Sequence, residues 1–183
     1  ESRAFVALNT ALAADGAYLY IPDGTVFDQP VEILFVAAGD DAAAEMIQAR
    51  TLVVAGSQVQ VKLVEAYASL RNGTYFTNGV TEIYAGENAV IDHYKVQQES
   101  LDAFHVAAMQ IVAQRNASVS SHSFSLGGNL VRNDANALLD GEGAEVTLNG
   151  LYLADGDLLI DNHTEIDHAR PHCPRHEVYK GIL

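Results

Sequence analysis

Apolar and polar residues alternate along much of the chain, which is the pattern of β-strands with one buried face. The alternation returns in four segments that begin at residues 55, 85, 113 and 140, each opening with a turn-like stretch. The segments are therefore 30, 28 and 27 residues apart. Their alternating positions are Val59-Val61-Leu63, Ala89-Ile91-His93, Ala117-Val119-Ser121 and Ala144-Val146-Leu148. A pattern that returns at a nearly fixed interval indicates a structural repeat.

A repeated strand–turn unit cannot bury its apolar face alone, but stacked units form a continuous core. A unit of about 28 residues accommodates two or three strands of about five or six residues each, with their turns. We therefore predict an all-β parallel β-helix, in which Val59, Ala89, Ala117 and Ala144 are in register along one side. Six further apolar segments fit as strands of these units, at 18–22, 31–36, 51–56, 81–86, 109–114 and 151–156.

One segment has a helical pattern, and one alternative architecture competes with the solenoid. Residues 2–16 predict a short N-terminal helix, with Ser2 as its N-cap and Gly16 beyond its end. The alternative is an antiparallel sandwich, for which Asn-Gly pairs at 72–73, 78–79 and 149–150 would supply hairpin turns. The fixed repeat with Ala or Val at one phase favours the β-helix.

Composition narrows the classes of partner and the cellular compartment. The formal net charge is −14, so nucleic acid and anionic membranes are poor partners. The single cysteine excludes an internal disulfide and favours a reducing compartment. No apolar run approaches the ~20 residues of a membrane span. We expect a cytoplasmic protein, or one in the plastid stroma if a transit peptide has been removed.

The stretch "DNHTEIDHARPHC" (161–173) contains three histidines and the only cysteine. Strand alternation places Asp161, His163, Glu165 and Asp167 on one polar face, with Ile166 and His168 on the opposite, more buried face. The remaining metal candidates are His168, His172 and Cys173, with His176 as a further candidate. Closed zinc sites prefer paired cysteines, which are absent, so we expect no metal here and a cysteine that packs at a coil corner.

Several other motifs have a structural interpretation. Asn88, Asn116 and Asn162 are expected at turns, where a solenoid stacks identical side chains along its axis. Gly127–Gly128 predicts a bend, and without a GxGxxG or Walker pattern nucleotide binding is not expected. No GxSxG elbow anchors a hydrolase function.

Four blocks of the sequence resemble the SufB/SufD family, the scaffold proteins of iron–sulfur cluster assembly. They are residues 5–33, 75–100, 138–157 and 161–183, in the order of the family, and the segment "PHC" with the later "YKGIL" is more similar to SufD than to SufB. The matching positions of the first block are Phe5, Leu8, Asn9, Ala11, Asp15, Gly16, Ile21, Pro22, Gly24 and Pro30. The segment "CPRHE" departs from the family, in which a Ser often stands two places after this Cys.

The resemblance implies a right-handed parallel β-helix, with residues 1–183 as a single, truncated core domain. It implies a SufBCD complex, in which SufD pairs with SufB and each binds a SufC ATPase. It also implies a scaffold for nascent clusters that is not an enzyme by itself, with an iron–sulfur cluster held transiently in the parent complex and no cofactor in this fragment. The family's Cys–Ser–His segment and helical C-terminal domain have no counterpart in this sequence, and we expect the fragment to form a homodimer through its exposed last coil.

The segment "HYKVQQES" (93–100) offers a polar set on one face of a predicted strand. His93, Lys95, Gln97 and Glu99 share one face of a strand, and a polar set turned inward would form part of a passage for sulfur or iron. Charged groups are seldom fully buried, so we expect this set outside.

Two other functions compete with the scaffold. The first is a carbohydrate-active β-helix enzyme of the polysaccharide-lyase or glycosidase type, which the absence of Trp disfavours. The second is a purely structural solenoid or adhesin, which the four family blocks disfavour.

Overall fold

The structure is a computed structural model that describes residues 2–40 and 45–183. Helix α1 spans Ser2–Leu12. The strands are β1 (Ala17–Ile21), β2 (Val31–Ala37), β3 (Glu45–Ala55), β4 (Gln60–Ser69), β5 (Tyr75–Ala85), β6 (Val90–Gln98), β7 (Phe104–Ala113), β8 (Ser118–Ser125), β9 (Leu130–Leu139), β10 (Glu145–Leu153), β11 (Leu159–His168) and β12 (Arg175–Ile182). No helix in these residues is long and apolar enough to cross a membrane.

The strands form two parallel sheets, and successive strands alternate between them. Sheet A has the order β1-β3-β5-β7-β9-β11, and sheet B has the order β2-β4-β6-β8-β10-β12. Each coil therefore gives one strand to each sheet, and all pairings between neighbouring coils are parallel. The β-helix prediction is confirmed, and the antiparallel sandwich is wrong.

The small residues of the repeat stack where each sheet A strand turns into a sheet B strand. Val59, Ala89, Ala117 and Ala144 are all fully buried. The amide of the residue after each one donates to the carbonyl in the preceding coil, with Val90 N to Val59 O and Ser118 N to Ala89 O both at 2.8 Å. Their predicted register along one side is confirmed.

A second column of residues at the same corner has a left-handed backbone. Its members are Gly24, Gln58, Asn88, Asn116, Gly143 and His172, all with φ between 54° and 73°. Asparagine tolerates this conformation better than most residues, and Asn116 Nδ2 donates to Asn88 Oδ1 at 3.3 Å. Asn88 and Asn116 therefore lie at turns as predicted. Asn162 does not, because it lies inside β11 and accepts a hydrogen bond from Asn133.

Apolar side chains fill the interior next to this corner, and we call this region the apolar half. It is formed by residues at the ends of the sheet A strands and at the beginnings of the sheet B strands. Its main members are Val53, Ala55, Ile83, Ala85, Ile111, Ala113, Ala137, Leu139, Val61, Leu63, Ile91, Val119, Val146 and Leu148. Each of these side chains is nearly or completely buried.

Helix α1 is shorter than predicted, because it ends at Leu12 and not near Gly16. A Cβ on Gly16 would lie 2.4 Å from the carbonyl oxygen of Arg50, so the chain has already come down onto β3 at this point. The helix lies on the outer face of sheet A, where Asn9 Nδ2 donates to the carbonyls of Ala49 and Asn78, both at 2.9 Å.

The predicted strands are found, with some changes of extent. The segment 151–156 is not a strand of its own, because its first three residues are the end of β10, which begins at Glu145. Strands β9 and β12 carry no counterpart among the predicted segments. Gly127 and Gly128 lie in the connection between β8 and β9, as predicted.

Candidate functional site: a polar interior

The side chains of His93, Lys95, Gln97 and Glu99 point into the β-helix. Their exposed fractions are 2%, 9%, 1% and 7%. The expectation that this set lies outside was therefore wrong. The physical reason is strand alternation, which keeps every second residue on the same face. Because Ala89 and Ile91 are buried, His93, Lys95, Gln97 and Glu99 point inward as well.

Further polar residues from both sheets meet this set, and we call the whole region the polar half. It occupies the side of the interior opposite the apolar half. Its other members are Glu65, Tyr67, Thr51, Thr77, Thr81, His105, Ser121, Ser125 and Asn133, all of which are buried. Burying a charge is costly unless the charge is paired or hydrogen-bonded, and each charged group here has at least one hydrogen-bond partner.

Glu65 is the acceptor on which four hydrogen-bond partners converge. Its Oε1 accepts from the hydroxyls of Thr51, Tyr67 and Thr81, all at 2.9 Å. Its Oε2 lies 3.2 Å from Nε2 of His93. Burial alone would raise the pKa of Glu65, but His93, Thr81 and Lys95 outweigh burial and lower the pKa to about 2. The interior therefore holds an ionised carboxylate at neutral pH.

His93 links Glu65 to Ser121, since its Nδ1 lies 2.9 Å from Ser121 Oγ. This Ser–His–Glu row has the connectivity of a nucleophilic triad. The cavity beside the row measures about 30 Å³, however, which is enough for about one water molecule. The row therefore can hold a water-sized species but cannot admit an ester or a peptide.

Lys95 places a cation in the same region. Its Nζ donates to Asn133 Oδ1 at 2.6 Å and lies 5.5 Å from the centroid of the Tyr67 ring. Burial lowers the pKa of Lys95, the carboxylates of Glu65 and Glu99 oppose the change, and the pKa falls to about 8. The ammonium group thus remains mostly charged at neutral pH.

Glu99 and His105 form a second buried pair. Glu99 Oε2 lies 2.7 Å from His105 Nδ1, and Thr77 donates to Oε1 at 2.6 Å. Burial would raise the pKa of Glu99, but His105 and the hydrogen bonds from Thr77 and Gln97 lower it. Burial and the nearby Lys95 lower the pKa of His105, so we assign a neutral imidazole that donates to an ionised Glu99. His105 Nε2 has no hydrogen-bond partner among the described residues.

The polar half extends along the axis of the β-helix. The small cavity is lined by residues of successive sheet B strands, from Glu65 on β4 through Lys95 and Ser123 to Tyr179 on β12. Four strand spacings of about 4.8 Å make this distance roughly 19 Å. At the other end a second cavity of about 270 Å³ reaches Tyr67, Thr77 and Glu99. The interior thus carries a polar row with a small cavity beside it and a larger cavity at its Glu99 end.

The candidate metal residues lie elsewhere, in the corner column, at the exposed end of β11 and against the core. His172 belongs to the left-handed corner column, and His168 is exposed at the end of β11, although the alternation placed it on the more buried face. The Cys173 thiol donates to the carbonyl of Gly141 at 3.3 Å and packs against the core. Among residues 2–40 and 45–183, no three His, Cys, Asp or Glu side chains are placed to hold a metal ion. The absence of a bound metal remains a prediction.

The remaining part of the stretch 161–173 forms a surface face. Asp161, His163, Glu165 and Asp167 point outward from β11, as the alternation predicted, and Ile166 packs against the core. His163 Nε2 lies 2.9 Å from Asp161 Oδ2, and Arg132 lies 3.5 Å from the same carboxylate oxygen. The histidine-rich motif is thus divided between a surface, a core contact and a corner.

Sequence reasoning missed Glu65, Tyr67, His105 and Asn133. A signal was available for two of them, because Glu65 and Tyr67 continue the buried series that includes Val61 and Leu63. His105 and Asn133 lie on sheet A strands in which burial does not alternate strictly, because residues 105–107 and 133–135 are each buried in succession.

Two protein-family models match this chain. The model described as "SUF system FeS cluster assembly, SufBD core domain" matches residues 35–183, and the "SufBD protein N-terminal region" matches residues 1–33.

Individual relatives agree with the family models. The chain is 30% identical to an iron–sulfur cluster assembly SufBD family protein of Synechocystis, over the whole chain and 42% of the relative. It is 23% identical to SufD of Escherichia coli, over the whole chain and 44% of that protein. A chloroplastic protein of Arabidopsis thaliana, ABCI7, is 22% identical over 98% of the chain. The chain thus spans less than half the length of these relatives, and it belongs to the SufBD family of iron–sulfur cluster assembly proteins.

Proposed function

We propose that this chain is the core of a non-catalytic scaffold subunit, which passes small sulfur or iron species through its interior during iron–sulfur cluster assembly. The observation that carries the proposal is the buried row of Glu65, His93, Lys95 and Glu99. A β-helix needs no charges inside for stability, because apolar residues of similar volume pack equally well or better. The cost of burying this polar row therefore supports a role for it beyond folding.

The chemistry of the row suits small ionic cargo. Lys95 and the hydroxyl groups of Ser121 and Ser123 favour an anion such as hydrosulfide, and the carboxylates of Glu65 and Glu99 favour a cation. The cavity beside them has room for one such species at a time. A cluster is then cargo of the parent complex and is not bound permanently by this chain.

The partners in this proposal are a SufB-like subunit and a SufC-like ATPase. Within the described chain, β11 and β12 pair with other strands on one side only. An open strand edge is a ready surface for pairing with another chain. For residues 1–183 alone, a second copy of the same chain would pair along these edges, whereas the SufB-like and SufC-like partners would bind largely through segments outside residues 1–183. Light scattering over a dilution series tests the self-pairing, and a strict monomer at high concentration would contradict it.

A chimera tests the transport role. Residues 1–183 replace the matching region of Escherichia coli SufD, and growth of cells that depend on this chimera for cluster assembly is measured. We expect Lys95→Met to abolish growth while the chimera remains folded by circular dichroism. The matched control is Lys62→Met, which removes an exposed lysine from the outer face of sheet B.

The outcome separates transport from folding. Equal growth with Lys95→Met and Lys62→Met would refute the transport role of the interior. Co-purification of the chimera with the SufB-like and SufC-like proteins checks the partner assignment separately, because the interior variants leave the segments outside residues 1–183 unchanged.

A further inference from the structure

A groove on the outer face of sheet A lies beside helix α1. It measures about 610 Å³ and extends from Val6 and Ala7 of α1, across Ala108 on β7 and Asn136 on β9, to Glu165 and Asp167 on β11. The small side chain of Ala108 leaves the groove deep at this point. The side chains of Asn136, Leu138, Glu165 and Asp167 in this groove point outward, away from the polar interior.

The width of the groove fits one α-helix. Helix α1 packs mainly over β3, β5 and β7, which leaves β9 and β11 beside it. Two strands at a spacing of about 4.8 Å provide roughly 10 Å, which is the diameter of an α-helix with its side chains. A helix in this position would lie about 8–10 Å from α1, the usual interaxial distance.

The charge of the groove selects the kind of helix. Glu165 and Asp167 are exposed on the far rim, and neither makes a hydrogen bond or an ion pair within residues 2–40 and 45–183. On the near side, Glu82 contacts Arg50 at 2.6 Å but keeps 41% of its side chain exposed. Acidic groups without partners on one rim, and a floor of alanine, amide and leucine side chains, complement a helix with a cationic edge and an apolar face.

We propose that this groove is a docking site for an amphipathic helix of a partner protein, with Lys or Arg side chains over β11 and its apolar face against Val6, Ala7 and Ala108. An extended peptide would instead pair with a strand edge, which lies outside the groove. A phosphate-bearing ligand would be repelled by the carboxylates of the rim.

A peptide titration tests the docking site on the intact chain. The probe is a synthetic helix of about 14 residues made of Ala, Leu and Lys, with Lys on one edge. Fluorescence anisotropy at low ionic strength gives its affinity. We expect Glu165→Gln with Asp167→Asn to weaken binding about fivefold, since two exposed ion pairs are lost.

The controls distinguish this groove from general attraction to an acidic protein. The double variant Glu142→Gln with Asp157→Asn removes the same charge from exposed corner positions and should leave the affinity unchanged. A scrambled peptide of equal composition should bind more weakly, and circular dichroism should show that the bound probe gains helix. Equal weakening by both double variants, equal binding of the scrambled peptide, a bound probe without helix, or no binding at all would each overturn the proposal.

Discussion

The two halves of the β-helix interior solve the same packing problem with different chemistry. The apolar half stacks Ala, Val, Ile and Leu at a corner of nearly identical turns. The polar half stacks Glu, His, Lys, Thr and Asn, whose hydrogen bonds connect different coils and both sheets. Both halves are closely buried. The difference is therefore not in exposure but in how specifically each position depends on its neighbours.

The two halves should therefore respond differently, in their free energy of unfolding, when a buried residue is substituted. An apolar stack tolerates exchange between residues of similar volume, because dispersion contacts have little directional preference. In the polar half the loss of one acceptor leaves several donors buried without partners, which is costly. Stability in the apolar half should therefore follow volume, and stability in the polar half should follow connectivity.

The largest effect is expected from Glu65→Leu. The substitution keeps the volume similar but leaves His93, Tyr67 and two threonines without their acceptor, so the free energy of unfolding should fall by about 4 kcal/mol. Urea denaturation measures the change. Glu165→Leu on the outer face of β11 is the matched control and should change stability by less than about 0.5 kcal/mol. Similar values for the two variants would mean that the polar half is not an interdependent network.

The apolar half is tested by Ile91→Ala, with a somewhat smaller expected effect. Ile91 is fully buried between coils, and its truncation should lower the free energy of unfolding by about 3 kcal/mol through lost burial and a cavity. The neighbouring Val90 points outward and is 42% exposed, so Val90→Ala should have a much smaller effect in the same denaturation assay. If Ile91→Ala cost no more than Val90→Ala, the description of this half as closely packed would be wrong.

The contrast between the halves also explains what the sequence could predict. Val59, Ala89, Ala117 and Ala144 were placed correctly, because burial of small apolar residues and strand alternation lead to the same answer. His93 and Lys95 were misplaced, because the general rule that charges lie outside was given more weight than the phase set by Ile91. The alternation set by Ile91 was the more reliable evidence, because a regular strand cannot point His93 outward while Ile91 points inward.

Other features could not be read from the sequence in this way. The partners of Glu65 come from both sheets, and the alternation within one strand does not specify which residues face each other across the interior. The end of α1 at Leu12 depends on the contact of Gly16 with β3, which is a tertiary constraint. The docking groove likewise requires knowledge of which strands α1 covers.

Acid should destabilise the polar half through Glu65. Its pKa of about 2 in the folded chain lies below its ordinary value of 4.5, so its contribution is complete above pH 4.5 and is lost as the pH falls towards 2. Between pH 7 and pH 3 the loss from this group is about 2 kcal/mol. The measurement is urea denaturation at several pH values for the parent and for Glu65→Gln, whose pH dependence should be weaker by that amount. Parallel pH profiles would show that Glu65 is not held ionised by its neighbours.

The smallest predicted effect concerns the corner next to the apolar half, where Asn116 has a φ of 54°. A side chain with a Cβ is strained there, whereas glycine adopts this conformation freely, as Gly143 does one coil later. Asn116→Ala should therefore lower the free energy of unfolding by about 1 kcal/mol, and Asn116→Gly by only a few tenths. Both variants lose the side-chain hydrogen bond to Asn88, so the difference between them isolates the backbone. Equal losses in urea denaturation would assign the effect to the Asn88–Asn116 hydrogen bond, and the corner column would then depend on side-chain stacking, as the polar half does.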